Sequence, residues 1–171
     1  MINSLVGLDG SLVADLGCGS GILMTAIASA YEPLFVLGVD IDRDALSICK
    51  ENLVTADTNK DYISRCGLLS CNVTNIADMV KDNFDVIVMN PPFGTKNNSG
   101  LDIAFVQAGL SILTKGGSLF SLHKSSTRNY ILKKVDWRDM GVEVFTGRVY
   151  CSVAMGLTSY IQFSQEESSR Y

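Results

Sequence analysis

The chain has 171 residues, 47% of them hydrophobic and 19% charged, with a mean hydropathy of +0.22. That is the length of one domain with ample apolar material for a core, which excludes a disordered or fibrous chain. Fourteen bases against eighteen acids give a net charge of −4, which speaks against a protein that coats nucleic acid over its whole surface.

Taken in chain order, short apolar runs alternate with amphipathic stretches. Leu12–Leu16 reads as a strand and Gly21–Tyr31 as a helix. Leu34–Val39 is a second strand and Arg43–Leu53 a second helix, with Ala45, Leu46, Ile48, Cys49 and Leu53 on one face. Tyr62–Cys66 reads as a weaker third strand, and Phe84–Met89 as a fourth, unbroken and buried. Asp102–Leu113 is helical, Ser118–His123 a fifth strand, Ser126–Val135 a helix and Val142–Phe145 a sixth strand. An antiparallel pair fits within Val142–Phe163. This order predicts an α/β domain over residues 1–164, on a mostly parallel sheet with helices on both faces, and a frayed tail from Gln165 to Tyr171. In such folds ligands bind at the carboxyl ends of the strands. Chemistry is therefore sought just after Leu16, Val39, Met89 and His123.

Charge is unevenly spread. Residues 1–89 sum to −7 and residues 90–171 to +3, and six bases (Lys115, Lys124, Arg128, Lys133, Lys134, Arg138) fall within 24 residues. That is either a solvated helix face or a basic face that meets a polyanion. The five cysteines form no C-x-x-C pair and read as small buried apolar residues, with no metal site expected. Neither a signal peptide nor a membrane-spanning run stands out, so an intracellular protein without membrane contact is expected.

Strand one runs into Asp15-Leu16-Gly17-Cys18-Gly19-Ser20-Gly21 and then a helix. Alternate glycines let the backbone turn tightly and approach a ligand, although a plain strand-to-helix turn gives the same pattern. A dinucleotide fingerprint needs glycine where Ile22 stands. Asp15 suits a cationic amine and would repel a pyrophosphate, so Asp15, Gly17, Gly19 and Gly21 favour an adenosyl cofactor with an amino-acid end. Asp40, closing strand two, can accept both ribose hydroxyls, and Ile41 can lie against an adenine face. Asp42 and Asp44 read as N-cap and first-turn acids. Asn72 reads either as an amide pairing with the adenine edge or as a turn or N-cap asparagine.

The strongest signal is Asn90-Pro91-Pro92-Phe93-Gly94, directly after strand four. Two successive prolines stiffen the backbone and remove two N–H donors. The Asn90 side-chain oxygen and the Pro91 carbonyl then become fixed acceptors between which a planar amino group fits. Phe93 offers a ring on which a flat substrate stacks. Holding both hydrogens localises the nitrogen lone pair for in-line attack on a methyl sulfonium. No strong base is needed, and positioning supplies much of the acceleration.

Together, Asp15–Gly21, Asp40 and Asn90–Phe93 resemble the Rossmann-like class I S-adenosylmethionine-dependent amino-group methyltransferases of nucleic acids. The longer strings from Val88 to Asn98 and from Ser121 to Arg128 resemble, more narrowly, the methyltransferase-like enzymes that methylate N6 of one adenosine in eukaryotic small-subunit ribosomal RNA. That resemblance implies S-adenosyl-L-methionine as donor, with Gly17, Gly19, Asp40 and Asn72 on the cofactor and Asn90, Pro91 and Phe93 on the adenine. It also implies a small zinc-binding activator subunit, which would pair along the strand-three edge, here Tyr62–Cys66, and carry the zinc itself. Lys96, Lys124 and Arg128 are the candidates for RNA phosphates, and the nucleus, with its nucleolus, and the cytoplasm are the expected compartments. His123, the only histidine, either flanks the substrate or is structural.

The family pattern begins some tens of residues earlier with a segment covering the cofactor, carries aspartate where Asn72 stands, and is matched to about Trp137. Two other readings follow. An amide nitrogen fits the same acceptors, which allows protein glutamine methylation, and a partner-binding module without activity is the third.

Overall fold

The computed structural model describes residues 6–57, 61–81, 83–92, 100–124, 128–134, 142–149 and 158–165, with the backbone alone for Lys124, Arg128 and the last two segments. Among these residues the strands are β1 (Leu12–Leu16), β2 (Phe35–Asp40), β3 (Cys66–Ser70), β4 (Phe84–Met89), β5 (Leu113–Lys124), β6 (Val142–Val149) and β7 (Thr158–Gln165). They join into one sheet in the order β3-β2-β1-β4-β5-β7-β6. The neighbours from β3 through to β5 are parallel, whereas β7 runs antiparallel to both β5 and β6.

The inner strands are apolar because helices cover both faces. On one face α1 (Ile22–Ala30) and α2 (Arg43–Ala56) bring Met24, Ile27, Leu46, Cys49 and Leu53 onto Val13, Val36, Val86, Val88 and Phe120. On the other, α3 (Ile76–Met79), α4 (Leu101–Ser111) and α5 (Arg128–Lys134) bring Ile76, Val106, Leu110 and Ile131 onto Ala14, Leu16, Val39, Ile87, Met89 and Leu119. Burying each Val or Leu is worth about 1.5–3 kcal/mol, so the alternation along β1 fixes which face each residue takes. The expected doubly covered α/β fold is the one the chain adopts.

The third strand differs from its expected place. Asp61 takes a left-handed conformation (φ 49°), and Tyr62–Arg65 then turn as a 3-10 helix. The Tyr62 ring is fully buried in the cluster under α1 and α2, and pairing begins only at Cys66. A residue whose composition favours strand is used instead as a core plug. The sheet edge on that side is therefore Cys66–Ser70 and not Tyr62–Cys66. Gly67 within it has a reason: a Cβ there would lie 2.6 Å from the Phe35 ring.

Other bounds shift by less. Asp42 caps α2, accepting from the Asp44 and Ala45 amides at 2.9 and 3.2 Å, as its sequence position suggests. The α4 helix stops at Ser111, so Leu113 opens β5, whose register against β4 shifts between Phe84 and Val86. The antiparallel pair at the carboxyl end is longer than expected, and Gln165 belongs to it, paired with Val142, rather than to a tail.

Candidate functional site

The chain builds β1, β2 and β3 outward in one direction and returns to lay β4 against the other side of β1. The reversal opens a crevice at the carboxyl ends of β1 and β4, the place where such sheets bind ligands. Leu16 pairs with Met89 in the β1–β4 register, so the next residues, Gly17 and Asn90, emerge side by side. Asp40 ends β2 on the other flank of the same loop. The topology thus gathers the glycine loop, Asp40 and Asn90 at one mouth.

The loop is held open by its own bonds. The Gly17 and Cys18 amides both donate to the Val39 carbonyl, at 2.8 and 3.0 Å, and the Gly21 amide donates to the Cys18 carbonyl at 2.8 Å. Asn52 of α2 donates to the Ser20 carbonyl at 2.9 Å. Gly17, Gly19 and Gly21 have φ of 75°, 52° and 82°, in the left-handed region that glycine alone takes cheaply. Their surroundings differ. A Cβ on Gly19 would meet nothing within 4 Å, so this backbone faces open space. A Cβ on Gly17 would lie 3.1 Å from the Phe105 ring, and one on Gly21 would run into the Cys49 sulfur. The last glycine is thus explained by α2 packing tightly against the loop.

Asp15 is 1% exposed, and its Oδ2 accepts from the Met24 amide at 3.0 Å. Its Oδ1 is buried without a partner. Burial pushes this carboxyl up to about 7, Asp40 adds to the rise, and the Met24 N–H opposes it. Asp40 is half-buried: Oδ2 accepts from the Gly19 amide at 2.8 Å and Oδ1 from the Asp42 amide at 3.0 Å. Each oxygen keeps a second lone pair, so two hydroxyls can still be accepted. Ile41, beside it, is 68% exposed, as a residue awaiting a flat apolar ligand would be.

Asn90 is exposed at the mouth, Pro91 is buried beneath it and Pro92 is exposed. Asn72 follows β3 and is exposed, with its Oδ1 accepting from the Thr74 amide and hydroxyl at 3.1 and 2.9 Å. The capping role is therefore real, and it leaves the side-chain NH₂ as the group to meet a ligand. Phe93 and Lys96 lie outside the described residues, as do the side chains of Lys124 and Arg128, whose backbones end β5 and begin α5.

His123 is 1% exposed, with Nε2 2.7 Å from the Ser121 hydroxyl. Burial pulls it down to about 4 against the pull of Asp102, so it is neutral at ordinary pH. Asp102, buried at the start of α4, accepts from the Ile103 amide at 3.0 Å. This group supports the ends of β5 and α4, and His123 is structural in this setting. Sequence reasoning missed Asp102, Phe105, Asn52 and Cys49, which shape the site from helices distant in the chain. For Asp102 a signal existed, a lone acid opening an apolar helix. Among the described residues no cluster of His, Cys, Asp or Glu is placed to hold a metal, and no helix is long and apolar enough to cross a membrane.

The family model of the Methyltransferase small domain matches residues 1–135, and the chain belongs to that family. Its relatives include the rRNA N(6)-adenosine-methyltransferase metl-5 of Caenorhabditis elegans, 51% identical over 84% of this chain and 66% of that protein. The rRNA N(6)-adenosine-methyltransferase METTL5 of Danio rerio is 39% identical over 80% of this chain and 62% of its own length. The chain thus spans less than two thirds of the length of these curated relatives. Among solved structures, TrmN from Thermus thermophilus superposes with a TM-score of 0.78 at 21% identity, covering 96% of this chain and 47% of that one. An rRNA methylase from Streptococcus thermophilus gives 0.67 at 14% identity, covering 94% and 90%. These two likenesses speak for the fold. The residues present fit S-adenosylmethionine, the donor that the sequence resemblance implies: an orphaned buried carboxylate oxygen at Asp15, open backbone at Gly19 and an acid with free lone pairs at Asp40.

Proposed function

We propose that this chain is the catalytic domain of an S-adenosylmethionine-dependent methyltransferase acting on the N6 amino group of an adenosine in ribosomal RNA, that of the small subunit. The observation that carries the reading is the side-by-side exit of the glycine loop and Asn90-Pro91-Pro92 from paired positions on β1 and β4. It is supported by relatives named for that reaction at up to 51% identity. When bound, the cofactor supplies an electrophilic methyl group on a sulfonium. Asp40 would accept the ribose hydroxyls, Ile41 would meet the adenine face, Asn72 would donate to the adenine edge, Asp15 would attract the ammonium end, and Gly17 and Gly19 would offer their backbone. Gly21 contributes the turn.

Asn90 Oδ1 and the Pro91 carbonyl accept the two N6 hydrogens, and the prolines keep these acceptors fixed. Phe93 supports the target ring, while Lys96, Lys124 and Arg128 take phosphates. Held by these two acceptors, the N6 lone pair would be aimed at the methyl group that the bound donor supplies, and water would take the displaced proton. In the same reading a small zinc-binding activator pairs along the β3 edge, Cys66–Ser70, which bonds to β2 on its other side. The zinc belongs to that subunit, and the working compartments are the nucleus and cytoplasm.

Labelled donor, the chain with its activator, and separated small- and large-subunit RNAs test the proposal. N6-methyladenosine is expected in the small-subunit RNA, falling about 10²-fold in Asn90→Ala while donor binding persists. No methyladenosine from the wild type, or an equal yield from Asn90→Ala, refutes the enzyme. Methylation of the large-subunit RNA alone refutes the finer assignment, and methyl transfer to protein after nuclease treatment favours glutamine instead.

A further inference from the structure

We infer that the outward face of α5, formed by Tyr130, Lys133 and Lys134, docks a single-stranded RNA segment flanking the target, with the ring stacked on a base and the lysines on phosphates. This rests on the RNA reading above and names a surface that reading does not use. Residues three and four apart share one side of a helix, and here Tyr130 is 48% exposed with Lys133 and Lys134 both exposed. Ile131 is fully buried against the sheet, so α5 is fastened and its outward face is fixed.

Charge selects the partner. From Ile103 to Val135 the chain has no acid and five bases, although the whole carries −4. An exposed aromatic ring beside two exposed lysines, in a helix that itself carries no acid, is a base-stacking platform. Ile48 and Val54, exposed on α2, stand instead among Asp44, Lys50 and Glu51, a mixture without complementarity to a polyanion. A membrane surface needs a broader apolar face than one ring provides. Position agrees as well. The α5 helix starts four residues after the end of β5, beside the strand that leads to Asn90, and its 7 residues span about 10 Å, the rise of about three stacked nucleotides.

The test measures fluorescence anisotropy of the full chain with labelled single-stranded RNA across a salt series, alongside donor titration and thermal melting. Tyr130→Ala should weaken RNA binding about tenfold, and Tyr130→Phe should restore it. Lys133→Ala with Lys134→Ala should flatten the slope of log affinity against log salt by about 1.4. Donor affinity and melting should hold in every variant. Unchanged RNA affinity and slope in the variants overturns the inference, as does loss of binding to phosphatidylserine vesicles with RNA binding intact. If that happens while the wild type still methylates RNA, the proposed function stands; RNA binding that depends on α5 in a chain that methylates no adenosine condemns the enzyme reading alone.

Discussion

Two buried groups perturbed in opposite senses make the pH dependence of stability a sharp test. Burial, with the Asp40 charge adding, pushes Asp15 from 3.8 to about 7, while burial pulls His123 from 6.5 to about 4. Between those limits the folded chain keeps a proton on Asp15 that the unfolded chain has released. It lacks on His123 a proton that the unfolded chain carries. Asp15 therefore contributes stability that is whole below about pH 4 and lost as pH rises to about 7. His123 contributes stability that is whole above about pH 6.5 and lost as pH falls to about 4. Each slope is about 1.4 kcal/mol per pH unit, and across this window they oppose and cancel. Asp15→Asn should unmask the histidine slope and gain about 2–3 kcal/mol relative to wild type between pH 4.5 and 6.5. His123→Gln should unmask the reverse, losing a similar amount over the same span. Urea unfolding midpoints at four pH values read both differences, with every other carboxylate common to the pair. A difference that stays flat with pH for either variant would refute the burial of that charge as the cause.

The same carboxyl bears on ligand binding, since a cationic amine needs Asp15 ionised. Donor affinity, followed by calorimetry, should rise as pH climbs to about 7 and lose that rise in Asp15→Asn; an identical profile in the variant removes Asp15 from the site. Asp40→Asn halves the acceptor character that ribose hydroxyls need and should weaken donor binding about tenfold or more, with stability lowered by about 1 kcal/mol because the Gly19 or the Asp42 amide loses its acceptor. Gly21→Ala combines left-handed strain with the Cys49 sulfur and should destabilise by about 2–5 kcal/mol, whereas Gly19→Ala, strained but facing open space, should cost only about 1–2. Equal losses for the two alanines, by chemical denaturation, would show that packing against α2 contributes nothing.

What could be read from the residues alone follows a physical division. Local signals sufficed for β1, β2 and β4, because strands covered on both faces are dominated by apolar residues with one aspartate each, and for the α2 start, because Asp42 caps what immediately follows it. They failed at Tyr62, where burial of a single ring from a 3-10 turn overrode the strand preference of the segment. Asn72 and His123 were left with two roles each. The Asn72 cap engages only Oδ1 and leaves its NH₂ for the other role. Burial beside a hydroxyl 2.7 Å from the imidazole gives His123 a structural setting, and neither geometry is written in spacing. The candidate site residues could be named from the residues because they cluster at strand ends: Asp15 one residue before the end of β1, the loop glycines after it, Asp40 closing β2 and Asn90 following β4. Cys49 behind Gly21 and Phe105 beneath Gly17 were not, since these contacts join parts of the chain that only the assembled sheet brings together.

The placement of β4 has a consequence for biosynthesis. β1 lies between β2 and β4, yet β4 follows it by some seventy residues. At about 5–20 residues per second, a ribosome takes several seconds to deliver the missing neighbour. Throughout that interval the nascent half-sheet presents Val13, Ala14 and Leu16 along an unpaired rim open to stray strands or chaperones. Slower translation over the intervening stretch would lengthen this vulnerable wait and lower the yield of native product, without altering a single contact in the finished molecule.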